Sequence, residues 1–240
     1  MLRQYGTNYG GFHYPSNLNT LNEDSIIYCV GAGEDISHDI ELAKQLGCEV
    51  YIFDPTPRAI EHVDYIKKVL AEEVKPVYNK RMGGGDVNYL KRILANKIDP
   101  EKIKMFDYGL YTEDKTLKFY EPTNKEHVSH SVVPGMRSNN YMEVEVKKLK
   151  TIMEELGHKK IDLLKIDIEG CECDVLEQMV QEKIFPTYLS VDFDLGWCGE
   201  KLRDRKKCFE TIEMLKSHGY HIMHSHRADY SFVMLDRINL

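Results

Sequence analysis

The sequence predicts an α/β domain built on a mostly parallel seven-stranded sheet that ends in an antiparallel hairpin. Three observations carry this. Short apolar runs alternate with segments of helical period, the pattern of a sheet covered on both faces. The run Tyr28-Cys29-Val30 enters a turn with two glycines, Gly31 and Gly33, and leads into a helix. A second apolar run, Val50-Tyr51-Ile52-Phe53, ends on Asp54, 21 residues past Gly33, which is the layout of the first βαβ unit of a nucleotide-binding sheet.

The elements follow in order. Residues 1–24 are polar and aromatic, with Tyr5, Tyr9, Phe12 and Tyr14 around Gly10-Gly11, and read as an ordered N-terminal arm without a strand. Residues 25–240 read as one domain, because no Pro/Gly-rich linker, repeat or low-complexity tract divides them. The first strand is 25–30. Asp35 or Ser37 caps a helix that stops at Gly47. The second strand is 49–53, and Pro55 and Pro57 stiffen the turn into a helix carrying Ile60, Val63, Ile66, Val69 and Leu70. The glycine run at 83–85 reads as a loop, with a helix from Asp86 to about 96. The third strand is 103–111. Residues 115–121 and 141–147 alternate as strands around a long loop at 122–140, expected to serve as a substrate arm. A helix at 148–157, a fourth strand at 161–166 ending on Asp167, a helix at 172–182, a fifth strand at 187–193 and a helix at 200–218 follow. A hairpin at 220–226 and 229–235 closes the chain.

Composition narrows the classes. Of the 240 residues 42% are hydrophobic and 30% charged, enough apolar material for a full core. The net charge of −7 argues against a broad nucleic-acid-binding face. Six cysteines without paired zinc spacing read as free thiols in a reducing compartment. With no membrane-length apolar run and no signal-peptide pattern, the expected location is cytoplasmic.

The turn also indicates the ligand. A dinucleotide fingerprint places a third glycine at position 36, which is Ile here, and Glu34 and Asp35 would repel a pyrophosphate. A cofactor with a ribose and no phosphate fits better. S-adenosylmethionine is such a cofactor, and its ammonium and sulfonium tolerate acids. The cofactor is expected on Gly31, Ala32, Gly33, Asp35 and Ser37 of the turn, with Asp54 on the ribose. Asp107, Gly109 and Leu110 lie at the third strand end, and Asp167 is expected at the methionine end.

Residues 161–172, Ile-Asp-Leu-Leu-Lys-Ile-Asp-Ile-Glu-Gly-Cys-Glu, closely resemble the Leu-Leu-Lys-Ile-Asp-Val-Glu-Gly-Ala-Glu segment of the FkbM family of S-adenosylmethionine-dependent methyltransferases. Val-Gly-Ala-Gly-Glu-Asp-Ile-Ser at 30–37, Phe-Asp-Pro-Thr-Pro-Arg at 53–58, Gly-Leu-Tyr-Thr-Glu-Asp at 109–114, Leu-Lys-Phe-Tyr-Glu-Pro at 117–122 and Val-Ser-His-Ser at 128–131 match in the same order. The resemblance covers roughly residues 25–195. It implies the class I methyltransferase fold, a Rossmann-like sheet, and methyl transfer to hydroxyl oxygens, often on sugars or other natural products. After the fifth strand many relatives carry Glu-Phe-His, where this chain has Asp192-Phe193-Asp194.

Methyl transfer to an alcohol needs alignment of acceptor, methyl and sulfur, and a sink for the proton. Asp167, His130 and Asp192 are the candidate catalytic groups. Ser129, His130, Ser131, Glu169, Asp194 and Trp197 are the candidate substrate contacts. The strand-end acids could also gather around Mg²⁺, but that ion demands a geometry sequence does not show, and no metal is expected. His224 and His226 share a strand face and lack an evident third ligand. Lys165 beside Asp167 resembles the Lys–Asp pairing of RNA 2′-O-methyltransferases, a reading the acidic balance weakens. A nicotinamide-dependent oxidoreductase and a non-catalytic binding scaffold are the other classes. The expected partner is a small molecule or glycan, with no membrane.

Overall fold

The computed structural model describes residues 1–121, 130, 140–193 and 201–238, the last segment without the side chains of 201–204. The N-terminal arm is itself a hairpin: β1 (Leu2–Tyr5) pairs antiparallel with β2 (Phe12–Pro15). The expectation of an arm without strands fails here. Phe12 and Tyr14 are buried while His13 and Pro15 are half-buried, a two-residue alternation too short to stand out between Gly11 and Pro15.

The chain then runs β3 (Ile27–Val30), α1 (Ser37–Leu46), β4 (Val50–Phe53), α2 (Pro57–Leu70), α3 (Tyr89–Ala95), β5 (Ile103–Phe106), β6 (Gly109–Leu110), β7 (Lys115–Tyr120) and β8 (Tyr141–Lys147). It continues through α4 (Leu149–Glu155), β9 (Leu163–Ile166), α5 (Glu172–Gln181), β10 (Tyr188–Asp192), α6 (Lys201–Ser217), β11 (Tyr220–His226) and β12 (Asp229–Met234). The main sheet has seven strands in the order β11-β12-β10-β9-β3-β4-β5. It is mixed rather than mostly parallel. The β10, β9, β3, β4 and β5 strands pair parallel, and the terminal hairpin adds the antiparallel pairings β10–β12 and β12–β11.

The predicted third strand splits in two. After Phe106 the chain leaves the main sheet, and Gly109–Leu110 pairs with Val146 and Lys147 of β8 in a separate sheet ordered β6-β8-β7. Both faces of the main sheet are covered, as its parallel centre requires. The period of two sorts the strands cleanly. Ile27 and Cys29 face a core shared with Ile40 of α1, Val63 of α2, Ile93 of α3 and Tyr5, Phe12 and Tyr14 of the hairpin. Tyr28 and Val30 face the other core, with Ile152 of α4, Leu176 of α5 and Leu215 of α6. The chain builds β3, β4 and β5 outward in one direction, then returns to place β9 on the other side of β3. The strand order therefore reverses between β3 and β9, where a crevice opens beyond their carboxyl ends. No helix among the described residues is long and apolar enough to cross a membrane.

Candidate active site

At that reversal lies an open cleft. Its walls come from the glycine turn, the end of β4, β6, β8 and the segment after β9, with Tyr9 and Gly10 from the N-terminal hairpin. Val30, Phe53, Leu110, Phe119 and Val146 make it apolar; Asp35, Asp54, Lys165, Asp167 and Glu169 bring charge to it. Concave, mostly apolar spaces with a few convergent polar groups are the usual form of a small-molecule site.

The turn is set by contact between backbones. Gly31 has φ +84°, and a Cβ there would meet the Asp167 carbonyl oxygen at 1.8 Å, so no other residue fits without moving a strand end. The Gly31 N–H donates to the Phe53 carbonyl at 3.0 Å. Asp54, 6% exposed, then clamps the turn: its Oδ2 accepts from the N–H groups of Ala32 (2.9 Å) and Gly33 (3.0 Å). Its Oδ1 accepts from the Thr56 N–H (2.9 Å) and hydroxyl (2.6 Å) at the start of α2. The two acids after the turn diverge. Glu34 pairs with Arg58 at 2.5 Å and Arg81 at 3.5 Å, which neutralise the charge the sequence reading had set against a pyrophosphate. Asp35 binds the Ser37 N–H at 2.9 Å and hydroxyl at 2.6 Å, and accepts from the Thr7 hydroxyl. Ile36, at the third glycine position, is fully buried.

Opposite the turn, Asp167 follows β9, and 36% of its side-chain surface is exposed at the cleft. Its pKa is pushed up to about 6 by desolvation first, then by Glu169 and Asp54, while Lys165 pulls it down. Lys165 is 3% exposed; its ammonium donates to the Gly31 carbonyl and lies 3.9 Å from Asp167 Oδ2. Burial alone would lower the Lys165 pKa, but Asp167, Asp39, Cys29 and Asp35 outweigh it and the pKa rises.

A family model described as the methyltransferase FkbM domain matches residues 29–222. The chain belongs to this family. It is similar to the probable methyltransferase-like protein 24 of Homo sapiens, 22% identical over 214 residues, which cover 86% of this chain and 44% of that protein. It is also similar to Methyltransferase 1 of Beauveria bassiana (strain ARSEF 2860), 34% identical over 74 residues, 30% of this chain and 28% of that protein. The chain spans less than half the length of these curated relatives. No solved structure matches.

Within this FkbM domain the expected site residues separate. Gly31, Ala32, Gly33, Asp35, Asp54, Gly109, Leu110, His130, Asp167 and Glu169 all line the cleft. Two expected cofactor contacts are not on its wall. Ser37 is fully buried, accepting the Thr7 N–H at 2.9 Å and bonded to Asp35. Asp107 is exposed, because the chain turns away from the main sheet after Phe106. Ser129, Ser131, Asp194 and Trp197 lie outside the described residues. His130 stacks on Phe119, with ring centroids 5.9 Å apart and planes at 19°. Thr56, Phe119, Val146 and Lys165 were missed as site residues. Lys165 alone carried a signal: a charged residue inside the apolar run Leu163–Ile166 of a central strand.

Asp192, an expected catalytic group, is not on the cleft wall; it pairs in register with Asp229 of β12. Desolvation first, then the carboxylates of Asp167, Asp229, Glu172 and Glu169, push its pKa up to about 9. A carboxyl raised this far holds its proton at neutral pH and is then a hydrogen-bond donor, not a base. The folded protein holds this proton to a higher pH than the unfolded chain, whose aspartate titrates near ~3.9. Folding therefore takes up a proton in that window, and stability falls as pH rises from about 4 towards about 9. Asp192→Asn is expected to stabilise the protein at pH 8 by at least ~2 kcal/mol and to change little near pH 4, as thermal melts at both pH values would record. An equal effect at both would refute the assignment.

Among the described residues, the group whose ligand atoms converge, within 4.8 Å of one another, is Cys29, His38 and Asp39, all buried. The strand-end acids proposed for Mg²⁺ form no such group among those residues. His224 does gain a neighbour the sequence could not supply: the His13 ring of β2 stacks on it at 3.7 Å.

Proposed function

We propose that this chain is an S-adenosylmethionine-dependent O-methyltransferase of class I fold, acting on a hydroxyl of a sugar, glycoconjugate or similar small molecule. The observation that carries the reading is the crevice at the strand-order reversal, where the Asp54-clamped glycine turn faces Asp167 across a backbone contact. Family membership supports methyl transfer, and the acids in the cleft suit a cationic ligand.

The residues present fit the cofactor. Val30, Phe53, Leu110 and Val146 would bury its flat apolar part, and the glycine turn leaves room for close approach. Asp167 would take the ammonium of its methionine end or the acceptor's proton. When bound, S-adenosylmethionine supplies an electrophilic methyl group. The protein's work is then to align the acceptor, exclude water and receive one proton. Asp167 suits the last task, since a base with pKa about 6 is ionised at neutral pH and still able to accept a proton. Phe119, His130 and Tyr9 offer flat faces and a ring nitrogen to a sugar.

Thermal shift and calorimetry with S-adenosylmethionine, S-adenosylhomocysteine and NAD should show binding of the first two and none of NAD. A screen of sugars, nucleosides, amines and RNA with labelled cofactor should then transfer methyl to a hydroxyl compound. Binding of NAD alone would overturn the cofactor, and transfer only to amines or RNA would overturn the acceptor class.

A further inference from the structure

Two buried features meet beneath the turn. The first is the convergent group Cys29, His38 and Asp39. Neither Asp39 oxygen nor His38 Nδ1 has a hydrogen-bond partner among the described residues. The Cys29 thiol lies alongside the Asp39 carboxyl without closing a full hydrogen bond. His38 Nε2 is held at 3.1 Å by the Tyr14 hydroxyl. Buried polar atoms left this way favour a nearby positive charge. The second feature supplies it. Lys165 pairs in register with Cys29 across β9 and β3, and Asp39, Cys29 and Asp35 all hold its proton in place. A metal ion is not needed to balance this group, because the chain carries its own cation there.

Lys165 also faces the cleft. It donates to the carbonyl of Gly31, the first residue of the glycine turn, and sits 3.9 Å from Asp167 Oδ2 on the opposite wall. We propose that Lys165 is a positioning residue of the methyl-transfer site: one buried ammonium ties the glycine turn to Asp167 and so sets the two walls of the cleft relative to each other. This rests on the methyltransferase reading above. The ammonium also keeps Asp167 ionised against desolvation and the like charges of Glu169 and Asp54. Asp192 and Asp229 lie near enough to feel Asp167, and His38 and Asp229 feel Lys165. Lys165 is the opposing positive charge in this set, and an opposite charge at this range lowers a carboxyl pKa by roughly 1–3 units.

The test measures S-adenosylhomocysteine binding by calorimetry from pH 5.5 to 8.5 on the whole chain, for wild type, Lys165→Met and Lys165→Arg. Lys165→Met should bind at least about tenfold more weakly at pH 7, and its acid limb should move up by about one pH unit or more. Lys165→Arg keeps the charge and should hold the limb where the wild type has it. Unchanged affinity and limb in Lys165→Met would overturn the proposal, as would equal weakening in both variants with the limb unmoved, the mark of a purely structural part. Should Lys165→Met fail to fold, ¹⁵N-lysine-labelled wild type gives the answer. The Lys165 ammonium resonance should shift on adding S-adenosylhomocysteine and follow an inflection near the Asp167 pKa of about 6. A resonance indifferent to both overturns the proposal. Wild type that binds no S-adenosylhomocysteine is a different result: it removes the methyltransferase reading, and the proposal with it.

Discussion

Replacing Asp54 with alanine should lower S-adenosylmethionine affinity by about 30- to 1000-fold, roughly 2–4 kcal/mol, and lower the melting temperature as well. The sequence points to Asp54 as an acceptor for two ribose hydroxyls. In the fold its carboxylate already accepts four hydrogen bonds, two from the Ala32 and Gly33 N–H groups and two from Thr56. Asp54 is therefore the clamp that holds the turn in shape against the start of α2. Alanine leaves the Ala32 and Thr56 N–H groups buried without a partner, which costs about 1–3 kcal/mol each. Calorimetry and thermal melts separate the two parts. A loss of affinity with an unchanged melting temperature would assign Asp54 to direct ligand contact, and a loss of both would assign it to the turn. Asp54→Asn keeps one acceptor oxygen and should fall between wild type and alanine in both measurements. Wild-type affinity and melting in Asp54→Ala would remove Asp54 from the site.

What could be read from sequence here was what is local. The strands β3, β4 and β9 announce themselves as apolar runs, and the spacing from Gly33 to Asp54 follows from the length of one helix and one strand. The residues that line the cleft from the turn and β6, and Asp167 and Glu169 after β9, were therefore found. What escaped depends on partners distant in the chain. Gly109 and Leu110 belong to a second sheet only because Val146 and Lys147 are there to pair with them, and this displaced Asp107 from its expected place at the cleft. Ser37 looked free to meet a ligand until Thr7, thirty residues earlier, came to occupy it. The β1–β2 hairpin was missed because its four-residue strands are too short for a periodicity argument. The protonation of Asp192 could not be anticipated, since it arises from burial first, then from Asp167 on the next strand end and Asp229 across the sheet. The necessity of Gly31 was legible as a turn residue, but its reason, the Asp167 carbonyl where a Cβ would stand, is visible only in three dimensions.

Asp167→Asn should reduce kcat by about 10²-fold or more while leaving the fold intact. Asparagine has the shape of aspartate and keeps one acceptor oxygen, so the mutation isolates charge and basicity. Asp167 lines the cleft and Asp192 does not, and the fold gives these two neighbouring carboxyls different states. Asp192 holds its proton to about pH 9, so at neutral pH it cannot take another. Asp167 gives its proton up near pH 6, because Lys165 offsets part of what desolvation, Glu169 and Asp54 impose. At pH 7 Asp167 is thus the ionised member of the pair, and of the two it is the one that can take a proton leaving the acceptor hydroxyl. The sign of the pH dependence follows. A required ionised carboxylate makes the wild-type rate fall as pH drops through about 6, and it leaves the rate level above that. With asparagine in its place the low residual rate should lose that acid limb. The measurement is kcat and KM from pH 5 to 8 with an acceptor found in the labelled screen. A rise in KM for the cofactor with kcat retained would give Asp167 the ammonium-holding part instead of the proton-accepting one. Survival of both within about threefold, under roughly 0.7 kcal/mol, with the acid limb still in place, would take Asp167 out of the mechanism and leave the apolar walls and the turn to act by alignment alone.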